Sequence, residues 1–245
     1  GDVNATNATG NVIVASATGA DGSSFAGGSG NDSVTAATGN AGTSWVITGG
    51  DGNDTLDIGG ETTQNGSLNG GAGIDTLQGG DGVGDVLTGG TGTDTFQFEV
   101  VADGGTAAAN DAIMDFETGS AGDVISMLTG SEFTSTGATV KAVDTSDTGT
   151  TAIITSDIVL MTGASYASDA ALVTALIGAS GVTGVSTSDQ LLVVYSNSTT
   201  GKVELAQVVE AGVDTTLDTS TSFATLDNLA LADIADLTAD NFLIA

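Results

Sequence analysis

The chain has 245 residues, of which 31 are acidic and only two, Lys141 and Lys202, are basic, so its formal net charge is −29. A chain this acidic is unsuited to binding nucleic acid or an anionic membrane surface, and a cation is the expected partner. It contains no His and no Cys, which removes the imidazole base, the thiol nucleophile and the usual zinc ligands. We therefore expect no enzymatic activity.

Hydrophobic residues make up 40% of the chain and the acidic residues are dispersed, which predicts a folded protein rather than a disordered one. The longest apolar run, LLVVY at 191–195, is much shorter than a membrane span and suits a buried strand, so we expect no transmembrane segment. The chain begins at Gly1 without Met or a basic segment, so we expect an N-terminal signal to be absent or removed, or the chain to be part of a longer polypeptide.

The first part of the chain carries a nonapeptide repeat, G-G-x-G-x-D-x-U-x, in which U is apolar. Four well-formed copies begin at 27, 49, 70 and 89 and read GGSGNDSVT, GGDGNDTLD, GGAGIDTLQ and GGTGTDTFQ. Because glycine permits positive φ and close backbone approach, positions 1 to 6 predict a turn, and the last three positions predict a short strand whose apolar residue points inward. These inward residues are Val34, Leu56, Leu77 and Phe96.

Degraded copies lie between the well-formed ones, at 18–26, 40–48, 59–69 and 79–88. Two units would complete one coil of a flattened parallel helix, with coils stacked at ~4.8 Å, so the well-formed turns should share one edge. The aspartates predicted along that edge are Asp32, Asp54, Asp75 and Asp94. The other edge should hold fewer or irregular ions, near Asp21, Glu61, Asp81 and Asp85. The opposite strand layer should be filled by Phe25, Ile47, Leu68 and Leu87.

Stacked turns bring the aspartates of neighbouring coils close together, where their carboxylates repel each other. A hard divalent cation that takes six or more oxygen ligands, as Ca²⁺ does, removes this repulsion, so the repeat predicts Ca²⁺ as the cofactor. Two alternatives are a metal-free glycine-rich β-solenoid and a glycine-rich linker. The stacked charges argue against the first, and the regular apolar position argues against the second.

These nonapeptides resemble those of the RTX (repeats-in-toxin) family of calcium-binding β-rolls, exported by type I secretion systems, and its surface-layer and adhesin-type members in particular. The resemblance implies that carbonyls at positions 2 and 4 and the aspartate of one turn share an ion with positions 1, 3 and 6 of the next. The implied ligand sets are Gly28, Gly30 and Asp32 with Gly49, Asp51 and Asp54; Gly50, Gly52 and Asp54 with Gly70, Ala72 and Asp75; and Gly71, Gly73 and Asp75 with Gly89, Thr91 and Asp94. Gly90 and Gly92 in the last copy, and Asp81 and Asp85 on the other edge, complete the candidates.

The segment 94–127 extends the resemblance, because many RTX β-rolls end in a D-x-F-x-F strand followed by a D-x-I-x-D-F-x-x-G-x-D-x-I segment. This implies that apolar residues cover the last coil and that Asp111, Asp115 or Asp123 closes the ion row. The alternative is that these acids face solvent. The fold class we expect is all-β: a parallel β-roll at 1–98, a capping segment at 99–128, and a mainly β C-terminal domain at 129–245 with one or two short helices.

Residues 129–245 contain no nonapeptides. Strands are predicted at 139–143, 152–155, 157–161, 190–195 and 202–209, with a hairpin turn at 197–201. Helices are predicted at 168–180, where Ser168 suits the N-cap, and more weakly near 226–237. The tail LTADNFLIA resembles the export signal of type I substrates, although a buried last strand explains it almost as well.

The resemblance implies a secreted protein that folds on Ca²⁺ outside the cell after passing through type I secretion machinery. With no visible catalytic groups, we expect a structural role: a homo-oligomer or self-assembled lattice or filament in a surface layer or extracellular matrix. The alternative is the non-catalytic C-terminal part of a secreted hydrolase, such as a protease or lipase. A flat threonine face that binds ice or sugar is a minor alternative.

Overall fold

The structure is a computed structural model, and it describes residues 2–17, 23–36, 44–59, 65–80, 84–98, 110–127, 140–143, 158–178, 190–209 and 219–244. Most of the described residues lie in β-strands, so the prediction of a mainly β chain is confirmed. The predicted strand at 152–155 lies outside the described residues.

In the described part of the chain, twelve strands precede residue 128. They are β1 Val3–Asn4, β2 Ile13–Ala17, β3 Ser24–Ala26, β4 Ser33–Ala36, β5 Val46–Asp51, β6 Thr55–Asp57, β7 Ser67–Ala72, β8 Thr76–Gln78, β9 Val86–Thr91, β10 Thr95–Phe98, β11 Asp111–Ile113 and β12 Val124–Met127. Odd-numbered strands lie in one sheet and even-numbered strands in another, so the chain alternates between two layers. Every pairing among these twelve strands is parallel.

The parallel registers place one apolar side chain of each strand in line with that of the next. The aligned residues are Phe25, Ile47, Leu68, Leu87 and Ile113 in one sheet, and Val14, Val34, Leu56, Leu77, Phe96 and Ile125 in the other. The eight predicted inward residues are all between 0 and 2% exposed. Each buried side chain of this size contributes about 1.5–3 kcal/mol, so these two rows form the main core of this part of the chain.

The later elements are β13 Val140–Val143, β14 Ile158–Tyr166, helix α1 Asp169–Gly178, β15 Gln190–Asn197, β16 Val203–Val209, β17 Thr219–Leu226, the 3₁₀ helices Leu231–Asp236 and Ala239–Asn241, and β18 Phe242–Ile244. Helix α1 begins after Ser168, whose Oγ accepts a hydrogen bond from the Ala171 N–H, as expected for an N-cap. The β15–β16 pair is antiparallel across the predicted hairpin turn. The weaker helical prediction near 226–237 corresponds to a 3₁₀ helix.

Both sheets continue into the C-terminal part of the chain. The larger sheet has eleven strands in the order β1-β3-β5-β7-β9-β11-β17-β16-β15-β14-β13, and the smaller has seven in the order β18-β12-β10-β8-β6-β4-β2. Strand β17 pairs in parallel with β11, and β18 pairs in parallel with β12. The larger sheet is mixed, because β16 runs antiparallel to both of its neighbours. The C-terminal strands therefore share sheets and core with the repeats.

Strands β14 to β17 are buried on both faces. Leu192, Val194 and Leu205 join the core that contains the repeat residues. Val193 and Val208, with Leu172 and Leu176 of α1, form a second cluster on the other face. This two-sided burial explains the uninterrupted apolar run at 191–195, because a strand covered on both faces needs no alternation with polar residues. Within the described residues, no helix is long and apolar enough to span a membrane.

Candidate metal centre

Four aspartates from the well-formed repeats stack along one edge, as the spacing predicted. The backbone N–H of each donates to Oδ1 of the aspartate in the next coil: Asp32 to Asp54 at 2.7 Å, Asp54 to Asp75 at 2.7 Å and Asp75 to Asp94 at 2.8 Å. The Asp94 N–H continues the series by donating to Asp123 Oδ1 at 2.8 Å. We call these five residues the aspartate row, and each is at most 2% exposed.

The glycines at positions 2 and 4 let the turns stack this closely. Gly73 has a φ of 143°, in the region that favours glycine, and a Cβ on it would collide with the carbonyl oxygen of Gly52 in the coil below. Gly52 stands in the same relation to Gly30. Any side chain at this position would separate the coils, so the repeat requires glycine there for space as well as for backbone conformation.

Three carboxylate oxygens of the row have no hydrogen-bond partner among the described residues. They are Oδ2 of Asp54, Asp75 and Asp94, and all three atoms are buried. At the ends of the row both oxygens are bonded: Asp32 Oδ2 accepts from the Gly28 N–H at 3.2 Å and Asp123 Oδ2 from the Glu117 N–H at 2.9 Å. A buried anionic oxygen without a donor is costly, so these three positions favour a positively charged partner.

Burial raises the pKa of four carboxyl groups of the row, those of Asp54, Asp75, Asp94 and Asp123. For Asp75 it reaches about 6, because burial disfavours the charged form and the charges of Asp94 and Asp54 add to the effect. For Asp123 it also reaches about 6, again mainly through burial, with contributions from Asp94 and Asp115. Burial likewise raises the pKa of Asp54 and Asp94. The row therefore favours either protonation or a bound cation.

The donor set available to a cation is made of oxygen atoms. In the described part of the chain, no group of three or more His, Cys, Asp or Glu side chains is placed to hold a metal ion. A cation at the row would thus be held by one or two carboxylates together with backbone carbonyls. This is a ligand set for a hard ion such as Ca²⁺ and not for zinc or copper.

The candidate ligands at position 3 can offer their backbone carbonyls, and Asp51 and Thr91 also carry side-chain oxygens. Asp51, Ala72 and Thr91 align in the strand register and have exposed side chains. The Ala72 and Thr91 carbonyls accept hydrogen bonds from the Gly52 and Gly73 N–H groups, at 2.7 and 2.8 Å. A carbonyl oxygen has two lone pairs, so each retains one for a cation.

The carbonyl at position 2 of a repeat can also accept a hydrogen bond from the next repeat. The Gly28 carbonyl accepts one from the Asp51 N–H at 2.8 Å. The corresponding glycines of successive coils, Gly50, Gly71 and Gly90, align in the strand register. The remaining candidate glycines, namely Gly30, Gly49, Gly70, Gly89 and Gly92, lie in the same stacked turns. The structure therefore brings the predicted set together along one edge.

The three acidic residues predicted to close the row, Asp111, Asp115 and Asp123, do not all lie at the same edge. Asp115 lies at the end of the aspartate row, where its two oxygens accept from the Gly89 and Gly90 N–H groups at 2.9 and 2.8 Å. Asp111 lies at the opposite edge, where its Oδ1 accepts from the Asp85 N–H at 2.8 Å. Of the three acids predicted to close the row, Asp111 therefore does not belong to it. Its strand, β11, belongs to the eleven-stranded sheet, whereas each aspartate of the row directly precedes a strand of the seven-stranded sheet.

The opposite edge has one stacked pair in the described part of the chain, Asp85 and Asp111, at 1 and 0% exposure. The Asp85 carboxylate accepts from the Gly66 and Gly80 N–H groups. Asp21, Glu61 and Asp81 lie outside the described residues, so the prediction of fewer ions on this edge remains a prediction.

An asparagine ladder beside the row was not predicted. Asn11 Oδ1 accepts from the Asn31 N–H, Asn31 Oδ1 from the Asn53 N–H, and Asn53 Oδ1 from the Ile74 N–H, at 3.1, 3.0 and 3.0 Å. The signal was present in the sequence, because Asn occupies position 5 of the first two well-formed repeats. The ladder adds neutral hydrogen bonds between coils next to the charged ones.

Comparisons with protein-family models and with curated proteins found no significant match.

Proposed function

We propose that the chain is a secreted, calcium-binding structural protein whose residues 1–98 form an RTX-type parallel β-roll held by Ca²⁺ along the aspartate row. The observation that carries the proposal is the set of three buried Oδ2 atoms, on Asp54, Asp75 and Asp94, that have no partner among the described residues. The strict alternation of parallel strands between two sheets supports the β-roll. The all-oxygen surroundings support Ca²⁺ as the ion.

The physical role of the ion is to make the stacked turns compatible with burial. Without a cation, each new coil adds a buried negative charge next to the previous one, and the net charge of −29 opposes compaction. With Ca²⁺ bound only to the folded state, each independent site adds about 2.7 kcal/mol when the free ion is at 100 times its Kd. Folding then depends on the external calcium concentration.

This dependence suits a protein that leaves the cell unfolded. Where Ca²⁺ is scarce, the chain stays loose enough to pass through type I secretion machinery. Outside the cell, Ca²⁺ is abundant and the chain folds. The proposed location is therefore extracellular or at the cell surface.

Calcium titration with circular dichroism and fluorescence tests the proposal. Trp45, the only tryptophan, is 4% exposed and belongs to the main core, so its emission reports formation of the coils. We expect Ca²⁺, added after chelation, to increase β content and shift the emission to shorter wavelength, with Mg²⁺ much less effective because it is smaller and requires strict octahedral geometry. The same spectra in chelator and in excess Ca²⁺ would contradict the proposal.

Association between copies is the second part of the proposal. Among the described strands, β1 and β2 are the outermost of their sheets at the end where the repeats begin, and Ile13 of β2 is 74% exposed. Such an edge presents unpaired backbone groups and apolar surface to a neighbour. Electron microscopy with and without Ca²⁺ tests this part. We expect ordered filaments or sheets only with the ion, and monodisperse particles in both conditions would contradict it.

A further inference from the structure

Asn241, near the end of the chain, has a buried side chain far from any repeat in sequence. It is 0% exposed and lies at the end of the 3₁₀ helix Ala239–Asn241, directly before β18. Its Nδ2 group donates to the backbone carbonyls of Asp123 at 2.8 Å, Gly119 at 3.1 Å and Glu117 at 3.4 Å. Its Oδ1 accepts from the Gly119 N–H at 3.1 Å. The Asn241 side-chain amide therefore forms hydrogen bonds at three positions of one loop, residues 117–123.

That loop, residues 117–123, carries the last aspartate of the row. It closes on itself, because the Asp123 N–H donates to the Glu117 carbonyl at 2.8 Å and the Glu117 N–H donates back to Asp123 Oδ2 at 2.9 Å. Asp123 Oδ1 then accepts from the Asp94 N–H. The hydrogen bonds thus run without a break from Asn241 through the loop to Asp94, whose Oδ2 has no partner among the described residues.

The last position of the row differs from the interior ones in what surrounds it. Asp54 and Asp75 lie between two stacked repeat turns, each followed by a short strand of the same sheet. Asp94 has a repeat turn on one side and the loop 117–123 on the other, with the charges of Asp115 and Glu117 nearby. Asp123 is followed by β12 in the same sheet, as each repeat aspartate is followed by its own strand. The difference therefore lies in the loop 117–123, which is not a repeat turn and depends on the contacts that hold it in place.

We propose that Asn241 is a positioning residue for the last cation site of the aspartate row, formed around Asp94 and Asp123, and that it acts through the loop 117–123. The inference rests on the proposed function, because it assigns a residue to one of the calcium sites. Asn241 itself touches no ion. It fixes the carbonyls of residues 117, 119 and 123, and with them the direction of the Asp123 carboxylate. Groups that orient metal ligands in this way typically change metal affinity by about 10–100-fold when removed.

The test is to count bound Ca²⁺ ions by native mass spectrometry and to measure their affinities by calorimetry on the full chain. Asn241→Leu keeps the branched shape of the side chain but removes the amide. We expect it to weaken one site by about 10–100-fold and to leave the affinities of the others unchanged. Asp123→Asn should weaken the same site, and the double variant should lose no further ion.

A destabilising control separates positioning from a general loss of stability. Leu205→Ala removes a buried side chain from the main core, on a strand that does not carry the row. It should weaken all sites together or none. If N241L behaves like L205A, or binds as many ions as the wild type with the same affinities, the inference is wrong.

A milder variant keeps the test valid if N241L does not fold. Asn241→Ser fits the same space, cannot reach the three carbonyls, and should lose the same ion. If it retains wild-type affinities at every site, the inference is wrong. A wild-type chain that binds no Ca²⁺ at all would overturn the proposed function, and this inference with it. Calcium binding that all Asn241 variants leave unchanged would overturn this inference only.

Discussion

Each interior aspartate of the row has two different oxygens. In Asp75, Oδ1 accepts the Asp54 N–H and so fixes the spacing of the coils, whereas Oδ2 is buried without a partner among the described residues. The first oxygen is satisfied by the protein alone and the second is not. A residue built this way stabilises the stack only when its remaining charge is neutralised, either by a proton or by a cation.

Substituting Asp75 tests this dual role, because it should lower the calcium affinity but raise the stability of the calcium-free protein. Asp75→Asn keeps an acceptor for the Asp54 N–H but removes the buried charge. We expect calcium affinity to fall by about tenfold or more, because a site's affinity depends on its ligand charge. In chelator, the variant should be more stable to urea than the wild type. Asp236→Asn removes the same charge from an exposed side chain outside the row and is the control. A variant that is less stable in both conditions would contradict the dual role.

Acid should partly replace Ca²⁺. The folded-state pKa values of Asp75 and Asp123 rise to about 6 from an ordinary 3.8, so the calcium-free fold is most stable below pH about 4 and loses stability as the pH rises through about 6. In chelator, β content measured by circular dichroism should therefore increase on acidification. Protons compete with the ion, so calcium affinity should fall over the same pH range. An increase of affinity on acidification would contradict the prediction.

The turns are the elements that decide whether coils can stack. Their glycines are of two kinds: those whose Cβ would strike the coil below, such as Gly73, and those in open space, such as Gly10. The local sequence does not distinguish these two kinds of glycine, since Gly73 and Gly10 both precede a short strand. The difference arises only when a second coil lies underneath, so the cost of an added side chain is a property of the pair of coils.

A pair of matched substitutions tests this distinction. Gly73→Ala places a Cβ against the Gly52 carbonyl and forces a side chain into positive φ, so we expect a loss of several kcal/mol or failure to fold on Ca²⁺. Gly10→Ala meets nothing within 4 Å, and we expect a change within about 0.5 kcal/mol. Thermal unfolding in excess Ca²⁺ measures both. Equal effects would show that stacking does not depend on this contact.

Helix α1 is attached to the C-terminal strands by a buried polar cluster as well as by apolar packing. The Tyr195 hydroxyl lies 2.6 Å from Asp169 Oδ1, at the start of the helix, and 2.6 Å from Glu204 Oε2 on β16. Ser222 Oγ of β17 lies 2.7 Å from the same Asp169 oxygen. Burial, together with the hydrogen bonds to the two acids, raises the pKa of the Tyr195 hydroxyl, so it stays protonated as a donor.

Removing that donor should weaken the attachment of the helix. For Tyr195→Phe we expect a loss of about 1–3 kcal/mol, because the buried carboxylate of Glu204 and the half-buried carboxylate of Asp169 share this hydroxyl and would lose it. Thr174→Ala is the control on the same helix, since the Thr174 hydroxyl bonds only to the Ala170 carbonyl and should change stability by less than about 0.5 kcal/mol. Urea unfolding in excess Ca²⁺ compares the two. A Tyr195→Phe variant as stable as the control would contradict a stabilising role for the cluster.

At the scale of the whole molecule, the repeats and the C-terminal strands share backbone pairing. Strand β11 lies between β9 and β17, and β12 lies between β10 and β18. Leu226 continues the apolar row of one sheet and Phe242 that of the other. Disruption of the aspartate row should therefore destabilise residues beyond the repeats, because both parts contribute side chains to the main core.

Hydrogen–deuterium exchange tests this coupling. On chelation of Ca²⁺, we expect the amides of β15 to β17 to lose protection together with those of β5 to β10, in one cooperative step. Strand β13, five strands beyond β11, is the most distant described strand of this sheet at which to look for the effect. C-terminal amides that stay protected while the repeat amides exchange would show instead that the two parts fold independently.

The repeat part of the fold was largely predictable because its information is local. Every nine-residue unit contains its own turn, its aspartate and its inward residue, so spacing alone placed Asp32 to Asp94 on one edge and Val34 to Phe96 in the core. The edge to which Asp111 belongs was not predictable in this way. Its neighbour, Asp85, is 26 residues away and lies in an irregular copy of the repeat.

The amino-acid sequence by itself determined the chemistry of the row: stacked acids, glycines that admit no side chain, and one apolar residue per unit, because these depend on periodicity along the chain. Only the tertiary structure decided what lies at the end of the row. Asn241 meets the loop 117–123 more than a hundred residues away, and β17 and β18 extend sheets begun by the repeats. Such contacts join segments with no shared pattern, so their pairing depends on which exposed strand edges and buried polar groups the folded chain brings together.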